Sequence, residues 1–501
     1  MGLTMALYIF AFSLLAMIVV LFVKRKELGK VFKILAPVCL VAMVAAAAGL
    51  VYLHTAEDVK NDNFLRQRTE ETRKMDMIIW YDIDISPLSN DRPERGWWFL
   101  NPQHPDMPRT KGCFRTTTPL LGLYDQRKPE TARQHLYWIS ALGCNVIAAD
   151  WTNYTSYRTA QDAGWLKYTK GVYDNTEVLL DTAQKCDDFD VPKVYLVARL
   201  FGEDYDKLRD VLDDVYELYS KYKDVWYTFN DGTENAKKPF LQIFADHSVL
   251  SKFVEAGPSF SDDRFNIRWS NGYLGSIGTI EGDNVSVPFG TWLFVENELD
   301  PSNADKGLYR AYYAKGLDKK PEQMIAWASV HKSGTEWDPM NKIIDGKTTF
   351  ERTIWKVKEL KPKALLVNRF NYAIAWLDEP QEGVGLYEST HIEPNEDLGF
   401  LIFDNVRENL YDLNDWEKNP VQLKNAEVSG NLIKVPLDNY PTKYRISSKG
   451  DMSESEWIYL NISSWIDISD FEGDKLYLQL GNGFGESDVI EVKINKEENG
   501  G

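Results

Sequence analysis

The chain has 501 residues, 44 % of them hydrophobic, and its 75 acidic against 57 basic side chains give a net charge of −18. That length exceeds one small domain, and the composition is that of a globular protein. So acidic a chain repels phosphate backbones, which argues against nucleic acid as a partner. Four cysteines (Cys39, Cys113, Cys144 and Cys186) are too few for a disulfide scaffold and fit no metal spacing, so neither a metal nor another cofactor is expected.

Leu3 to Val23 runs 21 residues without a charge, and Ile34 to Leu53 runs 20 more. Each matches the roughly 20-residue span of a bilayer core. The loop between them is basic, Lys24-Arg-Lys-Glu-Leu-Gly-Lys30. Five basic residues against Glu27 give the first 53 residues a net +4 and leave −22 for the rest. By the positive-inside rule the loop is cytoplasmic. Residues 1–55 therefore read as a transmembrane hairpin that anchors an extracytoplasmic body in the cell membrane. Cleavage after the small-residue stretch Ala45–Gly49 is the competing reading. Residues 56–74 are polar and charged, a linker or stalk.

From Met75 onward, β-type runs alternate with helical periods. Strands are expected at Met77–Ile85, Asn145–Trp151, Lys193–Phe201, Pro239–Ala245, Phe265–Trp269, Gly290–Val295, Met324–Val330 and Ala364–Phe370. Helices are expected at Pro129–Leu142, Thr176–Cys186, Tyr205–Tyr222, Val249–Ala256 and Thr348–Leu360. The first of these has proline at its start and Gly143 just past its end, the usual asymmetry. Eight strands interleaved with helices predict an α/β fold, a (β/α)₈ TIM barrel over residues 75–413. The stretch Ser276–Val287 is irregular. After Leu413 short alternating runs punctuated by glycine and proline predict a small all-β module over 414–501. That module suits carbohydrate binding or plain capping of the barrel.

The eighth strand leads into Glu379-Pro-Gln-Glu382-Gly383. In such barrels chemistry gathers at the C-terminal ends of the strands. A fixed carboxylate pair is what acid–base cleavage of a glycosidic bond requires. With 75 acidic residues, an E-x-x-E on a solvated loop also arises by chance. The 16 Trp, 26 Tyr and 23 Phe pack cores, but they also stack on the apolar faces of sugar rings.

Thr118-Pro-Leu-Leu-Gly-Leu-Tyr-Asp125, then Arg127-Lys-Pro129, a helix, and a strand ending Asp150-Trp151, resembles a characteristic stretch of glycoside hydrolase family 99. That family contains endo-α-mannosidases and endo-α-mannanases. Its carboxylate segment, N-E-W-x-E-G-T-x-I-E-P, is similar to Glu379-Pro-Gln-Glu382-Gly383 followed by Thr390-His-Ile-Glu-Pro394. The resemblance implies a retaining endo-hydrolase of α-linked, mannose-type glycans. Glu379 would act as base on the sugar's own 2-hydroxyl, and Glu382 as acid and then base. Two departures stand out. Pro380 occupies the family's tryptophan position, and Arg199 stands at the end of the third strand where the family carries acidic residues. Further candidates for sugar contact are Tyr81 and Asp82 in the first strand, Tyr124 and Asp125 in the matching loop, and Asp150 and Trp151 ending the second. Asp246 and His247 end the fourth, Glu296 the sixth and His331 the seventh, and Trp376 and Glu393 flank the pair. For Asp125 the alternative is a turn held by its own side chain; for Trp151 it is core packing. The rivals to a mannose-type hydrolase are a hydrolase of another α-glycan, such as an α-1,3-glucan, and a non-catalytic glycan-binding or polysaccharide-assembly protein on the same barrel.

Overall fold

The computed structural model describes residues 73–83, 112–115, 118–271, 279–281, 284–287, 290–293, 311–328, 330–332, 347–371, 374–377, 386–388 and 392–494. The chain divides into two compact units, Met1–Arg73 and Lys74–Gly501. The two expected membrane spans lie outside the described residues. Among the described residues no helix is long and apolar enough to cross a membrane.

Eight parallel strands form the body of the second unit: β1 (Asp76–Asp82), β2 (Val146–Asp150), β3 (Lys193–Leu200), β4 (Phe240–Ala245), β5 (Asn266–Asn271), β6 (Thr291–Leu293), β7 (Pro321–Trp327) and β8 (Ala364–Asn368). Their order in the sheet is β7-β8-β1-β2-β3-β4-β5-β6. All eight expected strands are therefore present and parallel. Helices α1 (Pro129–Leu142), α2 (Ala163–Lys185), α3 (Tyr205–Lys221), α4 (His247–Ala256), α5 (Thr349–Leu360) and α6 (Leu401–Asn414) follow β1, β2, β3, β4, β7 and β8. The irregular stretch contributes short strands at Thr279–Glu281 and Asn284–Val287, and with a further strand at Ala311–Lys315 they extend the sheet beyond β7.

The seam between β6 and β7 is closed by a side chain. Leu293 N–H donates to Gln323 Oε1 (2.8 Å), and Gln323 Nε2 donates back to the Leu293 carbonyl (3.3 Å). A side-chain amide carries one acceptor and two donors, so it can stand in for a strand partner. Gln323 is fully buried, which makes an unmade bond there costly.

Helix α1 starts with Pro129 and ends at Gly143, whose φ of 92° lets the chain turn left-handed while its N–H and that of Cys144 return to Ser140 and Ile139. A Cβ there would also meet the Trp416 ring at 2.8 Å.

The C-terminal strands form two small sheets, Glu427–Ser429 with Leu432–Lys434 and Ile466–Asp467, and Lys443–Ser447 with Ile458–Tyr459, Lys475–Asn482, Gly485–Glu486 and Ile490–Lys493. They dock on α1 through buried polar bonds. Gln134 accepts from Ile462 N–H (2.8 Å), and Tyr137 donates to the Pro441 carbonyl (2.7 Å).

Candidate functional site

Strand alternation decides which candidates face the barrel interior. The Tyr81 hydroxyl meets His135 Nδ1 on α1 (2.7 Å), and Trp151 Nε1 donates to Thr176 on α2 (2.8 Å). Both side chains therefore point outward, into the helix layer. Their neighbours Asp82 and Asp150, which are register partners, point inward. The same register carries inward direction from Asp150 to Val197 and Arg199, and from Arg199 to Phe244 and on to Asp246. The inner rim at the C-terminal ends of β1 to β4 is thus Asp82, Asp150, Arg199 and Asp246.

Arg369, just after β8, joins them, with Nη1 3.7 Å from Asp82 Oδ2. Asn371 lies beyond it and grips the end of β1, accepting from Asp82 N–H (2.9 Å) and donating to the Asp82 carbonyl (2.8 Å). Gln126 donates to that same carbonyl. Asp150 Oδ1 accepts from both the amide and the hydroxyl of Thr152, each at 2.7 Å, which fixes its carboxylate at the strand end. Asp246 pairs with Arg199 Nη2 at 3.0 Å.

Behind the barrel wall lies a second cluster. His135 Nε2 is 3.0 Å from Glu393 Oε1, both side chains are wholly buried, and Tyr124 donates to Glu393 Oε2 (3.1 Å). Burial is the largest influence on both phenols and holds the pKa of Tyr81 and of Tyr124 above the usual range. Each therefore keeps its proton. Tyr81 donates to Nδ1, the Nε2 proton faces one oxygen of Glu393, and Tyr124 faces the other.

These placements correct four expectations. Tyr81, Tyr124, Trp151 and Glu393, expected to contact sugar, are buried, with at most 6 % of any of them exposed. Trp151 packs on Tyr154 with ring centroids 4.0 Å apart and the rings tilted by 36°, the core-packing alternative. Asp125 takes its turn alternative. Its carboxylate accepts from the Arg127 amide (3.0 Å) and from Arg127 Nη2 (2.7 Å). Burial pushes its pKa up, but the Arg127 bonds outweigh burial and leave it below the usual carboxylate value.

His247 is the first residue of α4. His331 lies in the strand Val330–Lys332 opposite Tyr387, and Trp376 in the strand Ile374–Leu377 opposite Cys113. Glu296, Glu379 and Glu382 lie outside the described residues. The chain on either side of the pair is described. Phe370 N–H donates to the Trp80 carbonyl, and Glu393 N–H to the Phe370 carbonyl, both at 2.8 Å. The excursion that carries Glu379 and Glu382 thus leaves and returns at one point, at the C-terminal ends of β8 and β1. Within it, Ile374–Leu377 pairs with Gly112–Arg115, which follows β1, and Leu386–Glu388 pairs with Val330–Lys332, which follows β7.

His135, Arg369 and Asn371 were missed from sequence. For His135 a signal existed: it sits between Ala132, Leu136 and Ile139 on the apolar face of α1, where a polar ring needs partners.

No protein-family model matches the chain, and no curated protein matches it. Solved structures do. A family 99 endo-α-mannosidase from Bacteroides thetaiotaomicron is similar at a TM-score of 0.38 and 14 % identity, over 68 % of this chain and 97 % of that one. The same enzyme in complex with bis-tris-propane gives 0.38 and 15 %, over 68 % and 95 %. A glycoside hydrolase-like protein gives 0.36 and 11 %, over 68 % and 94 %. The chain is similar to these in the course of its backbone, and at such identities the likeness assigns no residue a role.

Proposed function

We propose that this chain is a retaining glycoside hydrolase of α-linked, mannose-type glycans, with Glu379 as the base on the sugar 2-hydroxyl and Glu382 as acid and then base. The observation that carries the reading is the clamp Trp80–Phe370–Glu393, which holds both ends of the excursion bearing the carboxylate pair against the C-terminal mouth of the barrel. Chemistry in (β/α)₈ enzymes is built on that face. The rim beside it supplies Asp82, Asp150, Arg199 and Asp246, a polar set suited to sugar hydroxyls. In this reading the N-terminal hairpin, residues 1–55, anchors the barrel on the outer side of the cell membrane.

In the proposed cycle Glu379 takes the 2-hydroxyl proton and that oxygen attacks the anomeric carbon. Glu382 protonates the departing glycosidic oxygen, then takes a proton from the water that opens the strained intermediate at the anomeric carbon, while Glu379 returns its proton to the 2-oxygen. Product analysis of the full chain against a panel of α-linked mannans and glucans tests this. Glu382→Gln should keep glycan binding and lose about 10²- to 10⁴-fold in turnover. Near-full activity in that variant would remove the pair from the mechanism.

A further inference from the structure

Three helices of the barrel start at an aspartate. Asp162 caps α2 by accepting from Trp165 N–H (2.8 Å), and Asp204 caps α3 by accepting from Lys207 N–H (3.1 Å). Asp246 stands at the same position before α4 but makes no such bond. A side-chain cap is typically worth about 0.5–2 kcal/mol, and here it is forgone. The carboxylate turns instead to Arg199 Nη2, 3.0 Å away.

Arg199 is equally constrained. Its guanidinium lies over the rings of Phe201 and Phe244, with centroids at 4.8 and 5.0 Å, which fixes its plane. Its Nε is buried and has no hydrogen-bond partner among the described residues. The side chains of Arg199 and Asp246 nevertheless remain 30 % and 43 % exposed, at the inner rim. The result is a rigid donor plane beside an acceptor, both open to the mouth. A pair held only for stability would be expected to satisfy its donors and leave the helix capped.

The charge balance identifies what such a pair can read. Arg199 is matched by Asp246, and Arg369 by Asp82, which leaves Asp150 as a surplus negative charge on the described rim. The whole chain is −18. An anionic sugar would have to displace Asp246 from Arg199 against that field. Two adjacent hydroxyls need no displacement. One oxygen accepts from the guanidinium fork, and the neighbouring hydroxyl donates to the carboxylate.

We infer that Arg199 and Asp246 form a specificity-determining subsite that reads a vicinal diol on an uncharged sugar ring. This rests on the glycosidase reading above and assigns recognition of the sugar's hydroxyls to the β3–β4 side of the mouth.

The test is equilibrium binding to the full chain in detergent, with α-mannobioses, α-glucobioses and α-1,4-digalacturonate as probes. The wild type should bind a neutral disaccharide in preference to digalacturonate. Arg199→Gln and Asp246→Asn should each weaken that binding about tenfold to a hundredfold. Arg199→Lys should not restore it, because an ammonium lacks the planar fork. Asparagine is itself a good helix cap, so Asp246→Asn does not put folding at risk. Monodeoxy analogues of the bound disaccharide add a readout that a purely structural role would not move. Removing the recognised hydroxyl should cost as much as Arg199→Gln, and the two losses should not add. Unchanged neutral-sugar binding in both variants, or preference for digalacturonate, overturns the inference alone. A wild-type chain that binds no probe overturns the glycosidase reading, and the inference falls with it.

Discussion

Tyr124 donates to Glu393 across 3.1 Å and so ties together two stretches 269 residues apart in the chain. The backbone makes the same junction. Leu120 N–H donates to the Pro394 carbonyl (2.9 Å), and Glu396 N–H to the Thr118 carbonyl (2.8 Å). The stretch at Thr118–Tyr124 and the stretch at Glu393–Glu396 thus form one structural element, a collar of backbone and side-chain bonds.

The collar predicts a stability hierarchy. Glu393→Ala removes the partner of His135 Nε2 and one of the partners of the Tyr124 hydroxyl, which also bonds Asn371, and a buried group left unpaired costs about 1–3 kcal/mol. Tyr124→Phe removes a single donor and should cost about 1 kcal/mol. Urea denaturation of the full chain should rank Glu393→Ala well below Tyr124→Phe. Equal losses would show that Glu393 is not the hub.

A second prediction concerns pH. Asp404 on α6 lies beneath the turn at Gly483, where a Cβ would collide with its carboxylate. Burial outweighs the nearby charges of Arg407 and Lys443, and its pKa is raised from 3.8 to about 6. The folded state therefore holds a proton that the unfolded state releases between about pH 4 and 6, so stability falls as pH rises through that window and is recovered on acidification. A shift of this size corresponds to about 3 kcal/mol at neutral pH. Asp404→Asn should flatten this part of the stability–pH curve and raise the midpoint of unfolding at pH 7. An unchanged pH profile would assign the carboxylate a different environment.

Gly483→Ala probes the same seam by volume. The added methyl has Asp404 as its nearest neighbour. The variant should loosen the C-terminal module from α6, and limited proteolysis should cut it sooner than the wild type. Asp404→Ala should partly rescue it, because the obstacle is then gone.

The barrel seam gives a fourth prediction. Gln323→Met keeps the volume but removes both partners of the Leu293 backbone, a loss of about 1–3 kcal/mol for each buried group left unpaired. Hydrogen exchange should report it at Leu293 before it reports anything at β1–β2. Exchange that accelerates uniformly would mean that the seam is not a local device.

Much of this was legible in the chain. The eight barrel strands were visible because each is a short β-rich run with turn signals at its ends, and α1 was visible through Pro129 and Gly143. Helix α6 was missed, although Ile402, Phe403, Val406, Leu410 and Leu413 follow a helical spacing, because Phe400 supplies no side-chain cap to mark its start. The first half of α2, from Ala163, was missed because glycine and aromatic residues dilute its apolar stripe. The strand ends that carry Asp82 and Asp150 were legible, but the directions of Tyr81 and Trp151 were not. A one-residue shift along a strand turns a side chain from lumen to helix layer, so Trp151 beside Asp150 faces the opposite way. The burial of Tyr124 and Glu393 depends on the collar, a long-range contact that no local pattern announces.

The Gln323 seam also bears on how the chain assembles. β1 to β6 can pair in chain order, each strand adding to its predecessor, and β7 can pair with β8. The ladder that unites these two blocks, β8 on β1, spans 288 positions between its register partners Asp76 and Ala364. Loop-closure entropy makes such a join slow relative to local pairing. Leu293 and Gln323 are only 30 positions apart, so the Gln323 clasp can form early and the β8–β1 ladder closes the barrel last. The barrel is then a folded ribbon whose two ends are fastened by the β8–β1 ladder, and its opening under stress should begin where its assembly ended.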